Sequence, residues 1–335
     1  MKIPPRIAMI GAGLGGLSFC RVLKDRGISV KCFDKSNRAG GRTSTRAAGE
    51  TAQFDHGAQY LTIRNPMLRL HLESWCNDKI VAPWDARFVA IDRPAEFRDV
   101  TYEQRYVGIP KMEDLAQYLS KDLDIEFDTE VSEVIVEPTA YRLRSKAGQD
   151  LGVFDMILWN CPPAQTAKIV PLNCGWKDQL KNVQMEPCWS VMLALESSWK
   201  VPFDGAFINE GDLGWMARDS SKPNRPNDLD CWVLHSTSKW AEKNLDISKD
   251  DVIQRLVYEA QRVTLSTMPK PILAKSHRWL YSRPTEALNQ KFLWDSEHRL
   301  GACGDWCGGP RIEGAFESGM ALAAQVLSSI DGKLV

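Results

Sequence analysis

Hydrophobic and polar positions recur along this chain with two periods, one of strands and one of helices. Arg6–Ile10 (RIAMI) is a short apolar run, the pattern of a strand covered on both faces. The run GAGLGG follows, and Leu17, Cys20 and Leu23 then recur at helical spacing. Gly27 stands where the helix must stop, because the residue past a last turn commonly needs a left-handed backbone. Ile28–Asp34 (ISVKCFD) is a β-branched run that closes on an acid. The sum is a strand–turn–helix–strand unit. Further on, Ile125–Val136 reads as a strand pair, and Asp155–Asn160 as a buried strand ahead of Cys161–Pro162–Pro163. Leu300–Gly304 reads as the last parallel strand. Pro310–Arg311 opens a helix expected to carry Phe316, Met320, Ala323 and Leu327 on one face. Ser190–Leu195 and Cys231–His235 are strand-like. Ser248–Leu265 predicts an amphipathic helix capped by Ser248, with Asp250 and Asp251 in the first turn, where the helix dipole favours acids.

The chain has 335 residues, more than the roughly 250–300 over which single cores stop growing, so two domains are expected. A formal charge of -1 without a long basic run argues against nucleic acid. Met1–Pro5 lead straight into an apolar run, so no secretory signal is expected, and no stretch is long and apolar enough for a membrane span. The nine cysteines are scattered, and Cys303 and Cys307 match neither a zinc nor a CxxC spacing. That usage reads as a reduced, cytosolic protein. The five histidines form no metal-ligand spacing, and no G-x-S-x-G elbow is present.

The glycine run carries the first chemistry. Gly11 permits the tight turn, Gly13 lets the backbone approach a pyrophosphate, and Gly16 lets the helix pack closely on the strand. The helix start offers N–H groups and a positive dipole end to phosphates. Asp34 is placed to accept from adenosine ribose hydroxyls, and its charge disfavours a 2′-phosphate there. Lys35–Arg46 (KSNRAGGRTSTR) is polar and glycine-rich instead of continuing as a compact helix–strand series. Arg42, after Gly40–Gly41, either pairs with a pyrophosphate or flavin or belongs to a solvated basic loop.

Five segments resemble one family. FDKSNRAGGRTST (Phe33–Thr45) resembles the stretch after the first βαβ unit of flavin amine oxidases. DHGAQYLT (Asp55–Thr62) resembles the motif that approaches the flavin ring in renalases, and ACGDWCGGPRIEGAFESG (Ala302–Gly319) the closing FAD motif of that group. VLHSTSKW (Val233–Trp240) and SHRWLYSRP (Ser276–Pro284) are similar to bacterial renalase-like proteins. The likeness runs with gaps over essentially the whole chain.

The resemblance implies an α/β fold of the flavin amine oxidase and p-hydroxybenzoate hydroxylase type. An FAD-binding Rossmann-type domain (residues 1–62, 109–163 and 300–335) would carry a discontinuous, mixed β-sheet substrate domain (63–108 and 164–299). Implied FAD contacts are Gly11, Ala12, Gly13, Leu14, Gly15, Gly16, Asp34, Lys35, Gly41, Arg42, Ala58, Gln59, Val131, Gly304, Asp305, Ile312 and Ala315. Val131, which reads equally as a core residue, would meet the adenine through its backbone. The helix opened by Pro310–Arg311 would aim its N-terminus at the flavin pyrimidine edge, where its dipole favours negative charge on the reduced ring. The Gly308–Gly309 pair leaves the position of Arg311 relative to the flavin open.

Candidate substrate contacts are Tyr60, Thr62, Arg64, Cys188, His235, Trp279 and Arg311. Arg64 and Arg311 read either as holders of a dinucleotide's phosphates or as surface ion-pair formers. His235 reads as a base or as a structural residue. Nine of twelve tryptophans lie at or beyond Trp176, which suits a flat-ring pocket and a core alike. No residue stands out as a general base; flavin N5 would accept the hydride. The family likeness implies oxidation of the 2- and 6-dihydro isomers of NAD(P)H to NAD(P)+, with O2 reduced to H2O2. A flavin amine oxidase or desaturase-like enzyme, and a non-catalytic flavin- or dinucleotide-binding protein, are the alternatives.

Overall fold

The computed structural model describes residues 4–49, 51–100 and 103–331; the first three residues of Met1–Pro5 lie outside them. Two compact units divide the chain: residues 1–41, 116–185 and 283–335 form unit one, and 42–115 and 186–282 form unit two. These borders differ from the expected ones. Residues 164–185 group with unit one because Val170, Cys174, Trp176 and Leu180 share a core with Trp159 and Leu300. Residues 283–299 do so because the strand Leu293–Asp295 pairs with Leu300–Ala302. Residues 42–62 group with unit two, where Ala52 and Phe54 pack with Met192, Ala194 and Val233. Residues 109–115 follow them through Met112, whose N–H reaches Asp55 Oδ1 at 3.1 Å.

Unit one is built on a six-stranded sheet in the order Leu293–Asp295, Leu300–Ala302, Met156–Trp159, Ile7–Ile10, Val30–Phe33, Asp124–Glu126. Its pairings are parallel except at the Leu293–Asp295 edge. Ile7–Ile10 and Met156–Trp159 are buried at every position, as strands covered on both faces must be. The helix Leu14–Asp25 buries Leu17, Cys20 and Leu23 as their spacing predicts, and Gly27 ends it at φ +74°. The C-terminal helix Ile312–Asp331 buries Phe316, Gly319, Leu322, Ala323 and Val326. Met320 and Leu327, expected on that face, are only half-buried. The stripe is turned because Gly319 meets the first helix: a Cβ there would stand 1.9 Å from Gly15 O and 2.2 Å from Ser18 Oγ.

Ile125–Val136 does not form a strand pair. Asp124–Glu126 adds to the parallel sheet beside Val30–Phe33. Val131–Val136 instead pairs with Tyr141–Ser145 in a separate antiparallel sheet that Asp150–Phe154 completes. The residues between turn the chain through Asp128 at φ +52°, so the two apolar runs feed different ladders.

Unit two centres on a seven-stranded sheet in the order Pro271–Pro284, Met185–Leu195, Asp230–Ser236, Leu213–Arg218, Gly205–Ile208, Phe88–Ile91, Phe97–Asp99. Strand side chains alternate between faces. One set, including Val89, Ile91, Val191, Leu193, Ala206, Met216 and Leu234, packs with Val252, Leu256, Ala260 and Val263 of the helix Lys249–Thr264. Each such aliphatic side chain contributes about 1.5–3 kcal/mol by leaving water. Ser248 caps this helix as expected, its side chain accepting from Asp251 N–H. The opposite set of the same strands, Phe207, Trp215, His235 and Ser190, forms a row across register-paired positions.

Candidate functional site

In unit one, three strand ends converge on the glycine run. Gly11 N–H donates to Phe33 O at 2.8 Å, and Asn160 N–H to Ile10 O at 2.8 Å. Asp34 braces the turn, with Oδ2 accepting from Ala12 N–H at 2.6 Å and Oδ1 from Ser36 N–H at 2.8 Å. A carboxylate has about four acceptor positions, so Asp34 keeps capacity for a ribose. Gly13 begins the helix in an extended conformation, without a side-chain cap and with no acid in the first turn. The first-turn N–H groups are therefore offered to an anion. A Cβ on Gly16 would stand 2.1 Å from Gly11 O, so that position takes no side chain.

Gly40 N–H reaches Ala12 O at 3.0 Å, which lays the Gly40–Gly41 pair along the turn; Lys35 is exposed beside it. Thr129 N–H donates to Asp34 O at 2.8 Å, bringing the chain to Asp34 just before the buried Val131. Asn160 Nδ2 donates to Cys303 O at 3.1 Å, and its side chain faces Gly13 and Gly15. Gly304 N–H reaches Ser318 Oγ at 2.9 Å. Asp305 is buried, and Ala315 O lies 2.9 Å from where a Gly15 Cβ would be. Ala315 thus sits with the glycine run, and Ile312 opens the same helix. Arg311 is exposed and pairs with Glu313 at 3.3 Å. The cradle fits a dinucleotide pyrophosphate at a helix start: it is narrow, lacks side chains and is rich in N–H donors. Sequence reading passed over Asn160, although Cys161–Pro162–Pro163 marked the turn beside it.

In unit two, a second group forms around His56–Gln59. Ala58 N–H donates to Arg42 O at 2.9 Å, and Arg42 Nη1 to Ser282 O at 2.8 Å. His56 O accepts from Trp279 Nε1 at 2.9 Å and faces His235 Nε2 at 3.2 Å. The His56 ring stacks on Trp279 with centroids 5.1 Å apart, and His277 stands edge-on to both. Burial holds His56 down to about 3, with His277 and Arg46 adding to it. Burial likewise holds His235 and His277 at about 4. The surface is aromatic and its imidazoles are uncharged.

Between their ordinary value of 6.5 and these values, the unfolded chain binds protons that the folded chain refuses. Stability must therefore fall on acidification through that window, by roughly 1.4 kcal/mol per pH unit for the enclosed His56 alone. Denaturant titrations at pH 7 and pH 5 should show the loss, with a shallower dependence in His56→Gln. Equal slopes in the two proteins would contradict the assignment.

The buried Gln59 accepts from Lys222 Nζ at 3.5 Å. Beneath it lie four enclosed charges. Lys222 Nζ lies 2.9 Å from Asp55 Oδ2 and 2.6 Å from Asp219 Oδ1, and Arg225 Nη2 lies 2.7 Å from Asp55 Oδ2. Tyr60 turns the other way, to Trp215 at 5.7 Å and Phe88 at 6.5 Å. Thr62 is buried beside the bridge between Leu61 and Tyr106. Cys188 lies 3.6 Å from the carbonyl of Ser236, next to His235. Arg64 is exposed in a two-pronged pair with Glu103, at 2.7 and 3.0 Å. The structure thus gathers Arg42, Ala58, Gln59, His235 and Trp279, and sets Arg64 apart. Trp176, Trp189, Trp199, Trp232 and Trp306 are buried in cores; Trp215 is buried in the row with Phe207 and His235, and Trp240, Trp279 and Trp294 are half-buried. Sequence reading missed His56, Trp215, Asp219, Lys222 and Arg225. Among the described residues no group of three or more His, Cys, Asp or Glu is placed to hold a metal, and no helix is long and apolar enough to cross a membrane.

Residues 9–71 match the NAD(P)-binding Rossmann-like domain family, and residues 93–327 match the flavin containing amine oxidoreductase family. Renalase of Mus musculus is 22% identical over 306 residues, spanning 85% of this chain and 87% of that protein. A flavin-containing amine oxidase of Oncorhynchus mykiss is 37% identical over 68 residues, 20% of this chain and 13% of that one. Among solved structures, a putrescine oxidase variant superposes with TM-score 0.73 at 12% identity, over 97% of this chain and 99% of that one.

Proposed function

Because the chain belongs to the flavin-containing amine oxidoreductase family, as a renalase-like member with FAD as its cofactor, we propose that it oxidises 2- and 6-dihydro isomers of NAD(P)H to NAD(P)+. One dihydronicotinamide, one O2 and one proton give one oxidised nicotinamide and one H2O2. The chemistry a bound FAD would supply is two-electron transfer between the donor and O2. The glycine run, Asp34, Gly304 and Asp305 would hold the cofactor. Cys188, His235, Trp279 and Tyr60 would serve the substrate.

The uncharged aromatic surface of His56, His235 and Trp279 carries this reading. An ammonium donor must lose a proton before hydride leaves, and an imidazole with a pKa of about 3–4 accepts it poorly. A dihydronicotinamide needs no deprotonation, because its ring nitrogen supplies the electron pair. It asks of the protein a flat surface and alignment. Likeness to renalase along most of both chains points the same way. We place the protein in the cytosol, since no disulfide joins its nine cysteines.

The test is anaerobic mixing of the yellow holoprotein with 6-dihydro-NAD and with a panel of amines. Rapid bleaching by the dihydro isomer alone is the expected result. Bleaching by amines alone would make the protein an amine oxidase, and no bleaching by either would make it a binding protein.

A further inference from the structure

We propose that Arg105 and Trp215 form a subsite for an anionic oxygen, phosphate or carboxylate, carried by the substrate. Arg105 is 8% exposed. Its Nε has no hydrogen-bond partner, and its Nη1 reaches a neutral carbonyl, that of Glu103, at 3.4 Å. Among the described residues no carboxylate pairs with it. Lys222 and Arg225, equally enclosed, each lie on a carboxylate at 2.9 Å or less. An enclosed cation without a counter-charge is costly, and three aromatic rings offset only part of that cost. The guanidinium carbon lies 4.1 Å from the Phe88 ring, 5.1 Å from Tyr60 and 5.7 Å from Phe207.

Trp215 supplies the second donor. Its Nε1 is buried with no acceptor. Its ring packs on the same three side chains, with centroids 4.7 Å from Phe207, 5.7 Å from Tyr60 and 6.3 Å from Phe88. Two buried N–H donors, one of them charged, therefore share one aromatic cluster and lack an acceptor. A guanidinium is built for forked donation to an oxyanion, and an indole N–H can add a third bond. Trp215 pairs across the sheet with His235, so the subsite continues the aromatic row. The same cation repels an ammonium group, which selects donors with a negative group near a flat ring. The inference rests on the proposed function only in taking this face as the substrate side, and it holds for any donor of that charge.

The holoprotein, with its nucleotide cradle filled, should be titrated with inorganic pyrophosphate and with benzoate while tryptophan fluorescence and flavin absorbance are followed. Saturable binding of at least one is expected, and the one that binds identifies the oxyanion. Arg105→Gln should weaken it by about tenfold or more, and Trp215→Phe by about threefold, at unchanged flavin content. Should Arg105→Gln not fold, Arg105→Lys, which loses the forked donor set, should weaken binding by about threefold. No saturable binding of either anion, or unchanged affinity in the folded variants, overturns the subsite. The assay needs no turnover, so failure of dihydro-NAD oxidation leaves it standing, and its own failure leaves the oxidation test intact.

Discussion

Lys222→Met is expected to cost about 3–5 kcal/mol of stability. Lys222, Asp55 and Asp219 have no exposed side-chain surface, and Arg225 has almost none. Two carboxylates balance two cations. Burial alone would raise Asp55, but Lys222 and Arg225 outweigh it and hold that carboxyl well below its ordinary range. Asp219 is pushed up, by burial first and by Asp55 next. Removing Lys222 leaves two enclosed carboxylates facing one guanidinium, so one must take a proton or draw in water. Adding Asp219→Asn removes the surplus charge, and the double variant should be less damaged than the sum of the singles. Denaturant midpoints across the four proteins of that cycle measure the coupling. Strict additivity, or a single-variant loss below about 1 kcal/mol, would contradict a mutually compensating cluster.

Gly13→Val should give folded but colourless protein, with FAD bound at least ~100-fold more weakly. Gly13 has φ -76° and ψ 173°, a conformation open to any residue, so the backbone gains no strain. Its Cβ would lie 2.8 Å from Asn160 Oδ1, a side-chain atom that can move. The further methyl groups would then fill the space before the helix start. The absorbance ratio of flavin to protein after purification reports the loss, and circular dichroism reports the retained fold. A yellow Gly13→Val protein would remove the pyrophosphate from this turn.

These two experiments address parts of the chain that differed in how openly the sequence displayed them. The glycine run was legible because its signals are local: an apolar run, a turn, a helical period and Asp34 follow within thirty residues of one another. The Lys222 cluster was not, since Asp55 lies far from Asp219, Lys222 and Arg225 in the chain and nothing about a lone lysine reports burial. Nor was the row Phe207–Trp215–His235–Ser190, whose members come from separate strands brought into register by the ladder alone. Tryptophan enrichment suggested a pocket, yet most of those rings fill cores. Ile125–Val136 misled for a related reason: two adjacent β-branched runs look alike whether they pair with each other or with distant partners. Arg64 and Arg311 were visible as charges, while the carboxylates that engage them depend on folded geometry.

The order of strands in unit one bears on how the protein is made. Its sheet places Ile7–Ile10 beside Met156–Trp159, which in turn lies beside Leu300–Ala302. A ribosome working from the N-terminus releases the glycine run first, but the strand and helix that complete its surroundings come some three hundred residues later. Unit two has all its residues by position 282. The inserted unit can therefore finish its sheet while the nucleotide cradle still lacks a wall. Loading of FAD then becomes one of the last events of biogenesis, and scarcity of the flavin would leave chains whose inserted half is already folded.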